Sequence, residues 1–103
     1  AWRLSLADIL PDTPYAKTMP KGALAYLKKL YYDTALSPSA YAMASLLQLV
    51  EPTQILFGSD FPFAPKDLVA KEVSDINGLS VFDDEIRQMV YRINALKLFP
   101  LFA

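Results

Sequence analysis

Apolar residues recur along this chain with two different spacings. In five segments they return every three or four residues, which is typical of the buried face of a helix. Two shorter segments, residues 30–34 and 55–58, are rich in aromatic and β-branched residues, which favours strands. The helical faces are Trp2, Leu6, Ile9 and Leu10; Ala23, Leu24, Leu27 and Tyr31; Met43, Leu46, Leu47 and Val50; Val69, Val73 and Ile76; and Ile86, Met89, Val90 and Ile93. After the first short helix, the pattern predicts the order α–β–α–β–α–α.

Prolines and capping residues delimit these segments. Residues 11–20 contain three prolines and predict an irregular loop, with Pro20 at the start of the next helix. Ser37 followed by Pro38 predicts the N-cap and first position of another helix. The remaining helix boundaries are predicted at Pro52, at Asn77–Gly78, and at Ser80 or Asp83.

The alternation of strands and helices predicts an α/β protein with a parallel sheet. Strands separated by a helix of about a dozen residues form βα units, which pair in parallel. Residues 55–58 are apolar on both faces, as expected for a strand that is covered on both sides. Because two parallel strands do not form a stable sheet alone, we expect them to need further strands.

Composition excludes several classes of protein and of site. At 103 residues, the chain is one domain or a piece of one, and 53% hydrophobic residues exclude intrinsic disorder. It has no cysteine and no histidine, which removes disulfides, thiolate nucleophiles, Ser-His-Asp triads and imidazole metal ligands. A net charge of −1 argues against nucleic-acid binding.

No targeting or membrane segment is predicted. Arg3 and Asp8 interrupt the N-terminal apolar stretch, which is unlike a signal peptide. The longest charge-free run, residues 34–50, contains several polar residues and falls short of a membrane span. The lack of cysteine favours a cytoplasmic protein. Because the chain does not begin with Met, we expect that it starts inside a longer reading frame.

Two carboxylates follow the predicted strands, where parallel α/β folds place their sites. Asp33 lies in Tyr-Tyr-Asp-Thr-Ala, and Asp60 lies in Ile-Leu-Phe-Gly-Ser-Asp-Phe-Pro. Gly58 permits a close backbone approach or an unusual dihedral angle just before Asp60, and the aromatic residues 61–63 are expected to exclude water. Burying a charged carboxylate in such surroundings costs free energy unless a metal ion or another cation binds it.

Each of these residues also has a purely structural interpretation. Asp60 can cap the next turn, and Asp33 can close a turn through side-chain to backbone bonds, which is the favoured interpretation for Asp33. Ser59 can bond a neighbour, but without a base in the chain it is no nucleophile. The aromatic residues Phe57, Phe61 and Phe63 leave a small-molecule binding protein as a further hypothesis.

Three motifs in sequence order carry a resemblance to a known family. They are Tyr-Asp-Thr-Ala at 32–35, Ile-Leu-Phe-Gly-Ser-Asp-Phe-Pro at 55–62, and Asn-Ala-Leu-Lys-Leu-Phe at 94–99. Together they resemble the C-terminal third of the amidohydrolase-related family, which includes aminocarboxymuconate-semialdehyde decarboxylase. The residues of these motifs are most similar to those of the 6-methylsalicylate decarboxylase branch. The resemblance covers about residues 20–100.

The resemblance implies a (β/α)8 barrel, with residues 1–103 as the C-terminal part of one barrel domain. Strands 30–34 and 55–58 would be strands seven and eight. The family holds a divalent metal, usually zinc, with histidines from earlier strands and an Asp from the eighth. Asp60 matches that Asp, which implies that it is the metal ligand and catalytic residue that handles the proton of a metal-bound water.

The same resemblance implies an incomplete site and an incomplete barrel. The chain has none of the family's histidines, and its 103 residues compare with about 250 in a whole barrel. The expected partners are therefore the missing N-terminal part of the barrel and a small carboxylic acid substrate. Whether the chain alone is an enzyme stays open.

Three functions remain in view at this point. The favoured one is decarboxylation of a small aromatic or unsaturated carboxylic acid by a metal-dependent enzyme of which this chain is a part. A metal-dependent hydrolase of the same family is the alternative. A non-catalytic α/β module, which covers its strand edges by forming a homo-oligomer, is the third.

Overall fold

The computed structural model describes residues 17–102, which divide into two compact units between Leu30 and Tyr31. In the first unit, helix α1 spans Ala23–Leu27 and begins after Gly22, whose φ of 81° lies in the region that favours glycine. The helix predicted from Pro20 is therefore present but short, and Tyr31 lies outside it. The helix predicted around Trp2 and most of the loop at 11–20 lie outside the described residues.

The second unit contains a parallel pair of short strands, as the sequence predicts. Strand β1 spans Tyr32–Asp33 and strand β2 spans Ile55–Leu56, with Tyr32 opposite Ile55. The amide of Thr34 donates to the carbonyl of Leu56 at 3.1 Å, which continues the ladder by one bond. Within residues 17–102 the sheet has these two strands.

Helix α2 joins the two strands and spans Ala40–Leu49. The prediction of Ser37 as its N-cap is wrong, because Ser37 still belongs to the turn after β1 and donates its amide to the carbonyl of Thr34 at 3.1 Å. Ser39 is the cap instead, and its hydroxyl accepts the amide of Ala42 at 3.2 Å. A 3₁₀ turn, Pro52–Gln54, follows the helix and leads into β2.

Two helical segments follow β2. Helix α3 spans Lys66–Gly78 and ends where the sequence predicts. Helix α4 spans Asp84–Gln88 and is capped by Asp83, whose Oδ1 accepts the amide of Ile86 at 2.8 Å. Of the two predicted caps, Asp83 is thus the one used.

Helix α4 continues through an irregular turn to the end of the described chain. A π-helical turn spans Met89–Ile93, helix α5 spans Asn94–Leu98, and a 3₁₀ turn spans Pro100–Phe102. The π-turn adds a residue to the helix, so the buried position moves along by one. Asn94 is 2% exposed, whereas Ile93, the predicted core residue, is 39% exposed.

The core of the second unit lies between the sheet and the surrounding helices. The buried residues that form it come from α2, β2, α3, the segment between α3 and α4, and the π-turn. They are Met43, Val50, Ile55, Ile76, Leu79, Phe82 and Val90. Among residues 17–102, no helix combines the length and the hydrophobicity that crossing a bilayer requires.

The π-turn and the residue after it also make two hydrogen bonds to the side of β2 that faces away from β1. The amide of Asn94 donates to the carbonyl of Met89, five residues back, and so leaves the Val90 carbonyl available. That carbonyl accepts the amide of Phe57 at 2.9 Å. The Asn94 side-chain amide donates to the carbonyl of Ile55 at 2.9 Å. Within residues 17–102, groups of the π-turn and its end therefore satisfy these two backbone groups.

Candidate functional site at the carboxyl ends of the strands

A single hydroxyl joins the carboxyl ends of the two strands. Thr34 is fully buried, and its Oγ1 accepts the amide of Gly58 and donates to the carbonyl of Gly58, both at 3.3 Å. Beyond the Thr34–Leu56 backbone bond, this side chain therefore continues the connection between the strands. The position of the chain that leads to Asp60 is set by this contact.

Gly58 is required here because of a close approach. A Cβ atom at Gly58 would lie 2.9 Å from Cγ and 3.0 Å from Cβ of Asp33, so close that the Asp33 side chain would have to shift. The Oδ1 of Asp33 accepts the amide of Ala35 at 2.9 Å. Asp33 thus closes a local turn, in agreement with its favoured interpretation, and the close-approach explanation for Gly58 is confirmed.

Asp60 lies two residues beyond that contact in an unusual conformation. It has a φ of 54°, in the left-handed region, and its carbonyl accepts the amide of Ala64 at 2.8 Å. The residue is exposed, and within residues 17–102 its carboxylate has no hydrogen-bond or ion-pair partner. The structure therefore places Asp60 in a defined turn with an unengaged carboxylate.

The residues around Asp60 do not shield it within the described chain. Phe61 is 66% exposed and Phe63 is 89% exposed, so the expectation that they exclude water is wrong for this part of the chain. Ser59 accepts the amide of Phe61 at 3.4 Å, the local bond expected of it, and the peptide bond from Phe61 to Pro62 is cis. Ala64 is the buried residue of this loop.

Phe57 is not part of an aromatic binding cluster in this structure. Its ring packs against Tyr91, with centroids 5.4 Å apart, and the residue contributes to the core. The Tyr91 hydroxyl contacts Asn77 Oδ1 at 3.1 Å and donates to this acceptor. Burial raises the pKa of the Tyr91 phenol above its ordinary value, and the positive charge of Arg87 opposes that rise.

The turn after β1 depends on a residue that the sequence analysis missed. Glu72 of helix α3 is 2% exposed, and its Oε1 accepts the amide of Leu36 at 2.8 Å. The signal for Glu72 is its place in the sequence, three residues after Val69 and four before Ile76, on the predicted apolar face of the helix. A carboxylate on such a face indicates a buried polar contact.

A cavity of about 390 Å³ lies beside this contact, on the helical side of the loop. Its walls come from the turn after β1, the start of α2 and one side of α3, where Lys71 and Asp75 form an ion pair. The residues that line it are Leu36, Ser37, Pro38, Ser39, Ala42, Leu68, Lys71, Glu72 and Asp75. Neither Asp33 nor Asp60 borders it.

The described residues do not form a metal centre by themselves. Across residues 17–102 no three His, Cys, Asp or Glu side chains lie together in a way that could hold an ion. A zinc site in a protein needs at least three protein ligands, most often with histidine or cysteine among them. Asp60 could therefore serve as one ligand, together with others from outside residues 17–102.

The sequence matches the protein-family model described as "Amidohydrolase" over residues 7–101. The chain belongs to the amidohydrolase family. The resemblance carried by the three motifs is thus confirmed. The match covers both strands, the Gly-Ser-Asp-Phe-Pro segment and the Asn-Ala-Leu-Lys-Leu-Phe segment.

Curated relatives of the family are decarboxylases by name. "Decarboxylase yanB" of Aspergillus niger is 32% identical over 99 residues, which cover 93% of this chain and 27% of that protein. "6-methylsalicylic acid decarboxylase acuB" of Aspergillus aculeatus is 35% identical over 71 residues, covering 68% of this chain and 22% of that protein. "6-methylsalicylic acid decarboxylase" of Penicillium expansum is 33% identical over 73 residues, which cover 71% of this chain and 22% of that protein.

The chain spans only about a quarter of the length of these family members. No solved structure matches it.

Proposed function

We propose that this chain is the C-terminal part of a (β/α)8 barrel that decarboxylates a small aromatic carboxylic acid. In this proposal β1 and β2 are strands seven and eight, and the other strands come from the rest of a longer protein. The observation that carries the proposal is the similarity to proteins named 6-methylsalicylic acid decarboxylase, in a region that includes the strand ends. The parallel pairing of β1 with β2 supports the barrel assignment.

Asp60 is the residue that we propose for the reaction centre. Three observations support it: it follows the carboxyl end of β2, its turn is held by a backbone bond to Ala64, and its carboxylate is unengaged in residues 17–102. In barrels of this type, active sites lie at the carboxyl ends of the strands. Its proposed role is to bind a divalent metal, with zinc expected, together with ligands from the missing strands.

The exposed aromatic residues next to Asp60 fit the same proposal. Phe61 and Phe63 expose 66% and 89% of their surface in this chain. Covering these rings with the remaining barrel or with an aromatic substrate would remove apolar surface from water, which is favourable. The substrate carboxylate itself is expected to be held by groups outside residues 55–65, since no lysine or arginine lies in that segment.

A hydrolase remains the second candidate, because the family model that matches the chain is described as an amidohydrolase. Assays on the longer protein separate the two functions. Release of CO₂ from 6-methylsalicylate supports the decarboxylase. Cleavage of an ester or amide without release of CO₂ supports the hydrolase.

Substitution of Asp60 tests its role in the longer protein. Asp60→Asn keeps the shape of the side chain and removes its charge, and we expect turnover to fall by about 100-fold or more. Circular dichroism should stay unchanged, and the unfolding midpoints should be compared in the metal-free proteins, where loss of a metal ligand does not contribute. Asp33→Asn is the matched control: it retains the oxygen that accepts the Ala35 amide, and its activity should change far less. Normal activity of Asp60→Asn would show that the assignment is wrong.

The metal content of the 103-residue chain tests whether its site is incomplete. We expect elemental analysis of the purified chain, after dialysis with zinc, to find no stoichiometric zinc, because a single carboxylate is a poor zinc site. The longer protein, treated in the same way, should retain zinc. Tight one-to-one binding by the short chain would contradict the proposal that the other ligands lie elsewhere.

A further inference from the structure

Glu72 is a buried carboxylate of which one oxygen is hydrogen-bonded and the other is not. Its side chain comes from the middle of α3, and its Oε1 accepts the amide of Leu36 at 2.8 Å. Its Oε2 is also buried, but it has no hydrogen-bond partner in the described part of the chain. A buried carboxylate with only one of its oxygens hydrogen-bonded is costly.

The Leu36 amide, which donates to Glu72, belongs to a strained turn. Leu36 has a φ of 57°, a conformation that β-carbon sterics disfavour for every residue except glycine and, to a lesser degree, asparagine and aspartate. The turn is closed on one side by the bond from the Ser37 amide to the Thr34 carbonyl at 3.1 Å. The bond to Glu72 holds it on the other side, from a helix that follows β2.

The turn after β1 is also connected to the end of β2. Thr34 begins the turn, and the same residue exchanges two hydrogen bonds with Gly58 through its hydroxyl. Gly58 lies two residues before Asp60. A continuous series of contacts therefore leads from Glu72 through Leu36 and Thr34 to Gly58, and it joins α3 to both strand ends.

We propose that Glu72 is a positioning residue, which fixes the turn after β1 and through Thr34 sets the place of the Gly58–Asp60 segment. The effect on the backbone depends only on the contacts described above. The effect on catalysis rests on the proposed function of Asp60. Glu72 itself does not touch the proposed reaction centre. Its effect on that centre is transmitted through Leu36 and Thr34.

Three substitutions and one control separate this role from a general contribution to stability. Glu72→Met keeps the length of the side chain and removes the acceptor, whereas Glu72→Gln keeps an acceptor oxygen. Glu72→Asp shortens the side chain by one methylene and withdraws the carboxylate from Leu36. Ile76→Val, one turn along the same helix at a fully buried position, destabilises the core without touching the turn.

Amide hydrogen exchange in the longer protein is the first measurement. In Glu72→Met, we expect exchange at both Leu36 and Gly58 to accelerate by about tenfold or more, as for loss of a bond to a charged group. In Ile76→Val, any acceleration should be spread evenly over the core amides. Glu72→Gln should restore exchange at both amides to near the wild-type rate. If Glu72→Met does not fold, Glu72→Asp replaces it with the same expectation.

The proposal is overturned if exchange at Gly58 in the Glu72 variants matches that in Ile76→Val, because the contact would then end at the turn. It is equally overturned if Glu72→Gln behaves like Glu72→Met. These outcomes do not depend on any activity.

Steady-state kinetics of the longer protein with 6-methylsalicylate is the second measurement. We expect Glu72→Met to lower kcat by about tenfold with little change in KM, and Glu72→Gln to restore kcat. A wild-type protein without decarboxylase activity would contradict the proposed function and leave the exchange result to decide on Glu72. Accelerated exchange at Gly58 together with an unchanged kcat would overturn the catalytic part of the proposal.

Discussion

The loops that follow the two strands are built in opposite ways. The loop after β1, residues 34–37, is held from three directions: by Gly58 through the Thr34 hydroxyl, by its own turn, and by Glu72. The loop after β2, residues 58–65, has local bonds at Ser59 and Asp60, and its aromatic side chains extend into solvent. One loop is therefore fully supported by the described chain, and the other is not.

The difference indicates where support from outside is needed. A loop whose polar groups are satisfied internally can keep its conformation without a partner. A loop that exposes two phenylalanines and an unengaged carboxylate has groups that are suited to contacts elsewhere. On this comparison, the loop after β1 acts as the fixed reference, and the loop after β2 provides the contact groups of the proposed site.

The largest expected effect on stability is at Thr34, the contact on which the comparison depends. Thr34→Val retains the shape of the buried side chain and leaves the amide and carbonyl of Gly58 without this partner. We expect a loss of about 2 kcal/mol in the free energy of unfolding, measured by urea denaturation. Thr34→Ser is the control, since it keeps the hydroxyl and should cost about 1 kcal/mol for the lost methyl group. Equal losses in both variants would mean that the hydroxyl does not join the two loops.

A smaller effect is expected at Gly58, where the loops are in closest contact. Gly58→Ala places a methyl group 2.9 Å from Cγ of Asp33 and should cost about 1 to 2 kcal/mol in the same assay. Gly78→Ala is the matched control, because no atom lies within 4 Å of its added methyl group and the residue is helical. That change should stabilise the chain by about 0.5 kcal/mol. A neutral Gly58→Ala would show that Asp33 moves aside freely and that the loops are less tightly joined.

The smallest effect concerns Tyr91, which supports the start of the loop after β2 through Phe57. Burial raises the pKa of the Tyr91 phenol in the folded chain, so the folded state keeps this proton where the unfolded state has lost it. The stability from Tyr91 is therefore complete below the ordinary pKa of 10.0 and declines as the pH rises above it. We expect the unfolding free energy of the wild type to fall more steeply above that pH than that of Tyr91→Phe. Parallel pH profiles would contradict the prediction.

The sequence predicted the order of the elements and the parallel pairing, because both depend on patterns that extend over many residues. Met43 of α2, Val50 directly after it and Ile76 of α3 are buried as the helical spacing indicates. The boundary at Ser37 was wrong by two residues. A Ser-Pro pair fits both the end of a turn and the start of a helix, and hydrogen bonding to Thr34 decided between them.

What the sequence did not indicate is the set of contacts between distant residues. Spacing reports the average repeat of a helix, so the π-turn, which moves burial from Ile93 to Asn94, has no signature in the apolar pattern. Thr34 and Glu72 lie 38 positions apart in the sequence, and nothing in either neighbourhood indicates their connection through Leu36. For the candidate site, the position of Asp60 after β2 was predicted from sequence, and its role as a metal ligand stays a prediction.

The π-turn has a consequence for how the sheet meets other chains. Open strand edges recruit foreign strands and are a common starting point for aggregation. Because the Val90 carbonyl and the Asn94 side chain occupy the backbone groups of Phe57 and Ile55, a strand that pairs on that side of β2, strand one of the proposed barrel included, must first displace both contacts. Deleting one residue from Met89–Ile93 would restore a regular helix, withdraw both contacts together, and expose this edge of the sheet to self-association.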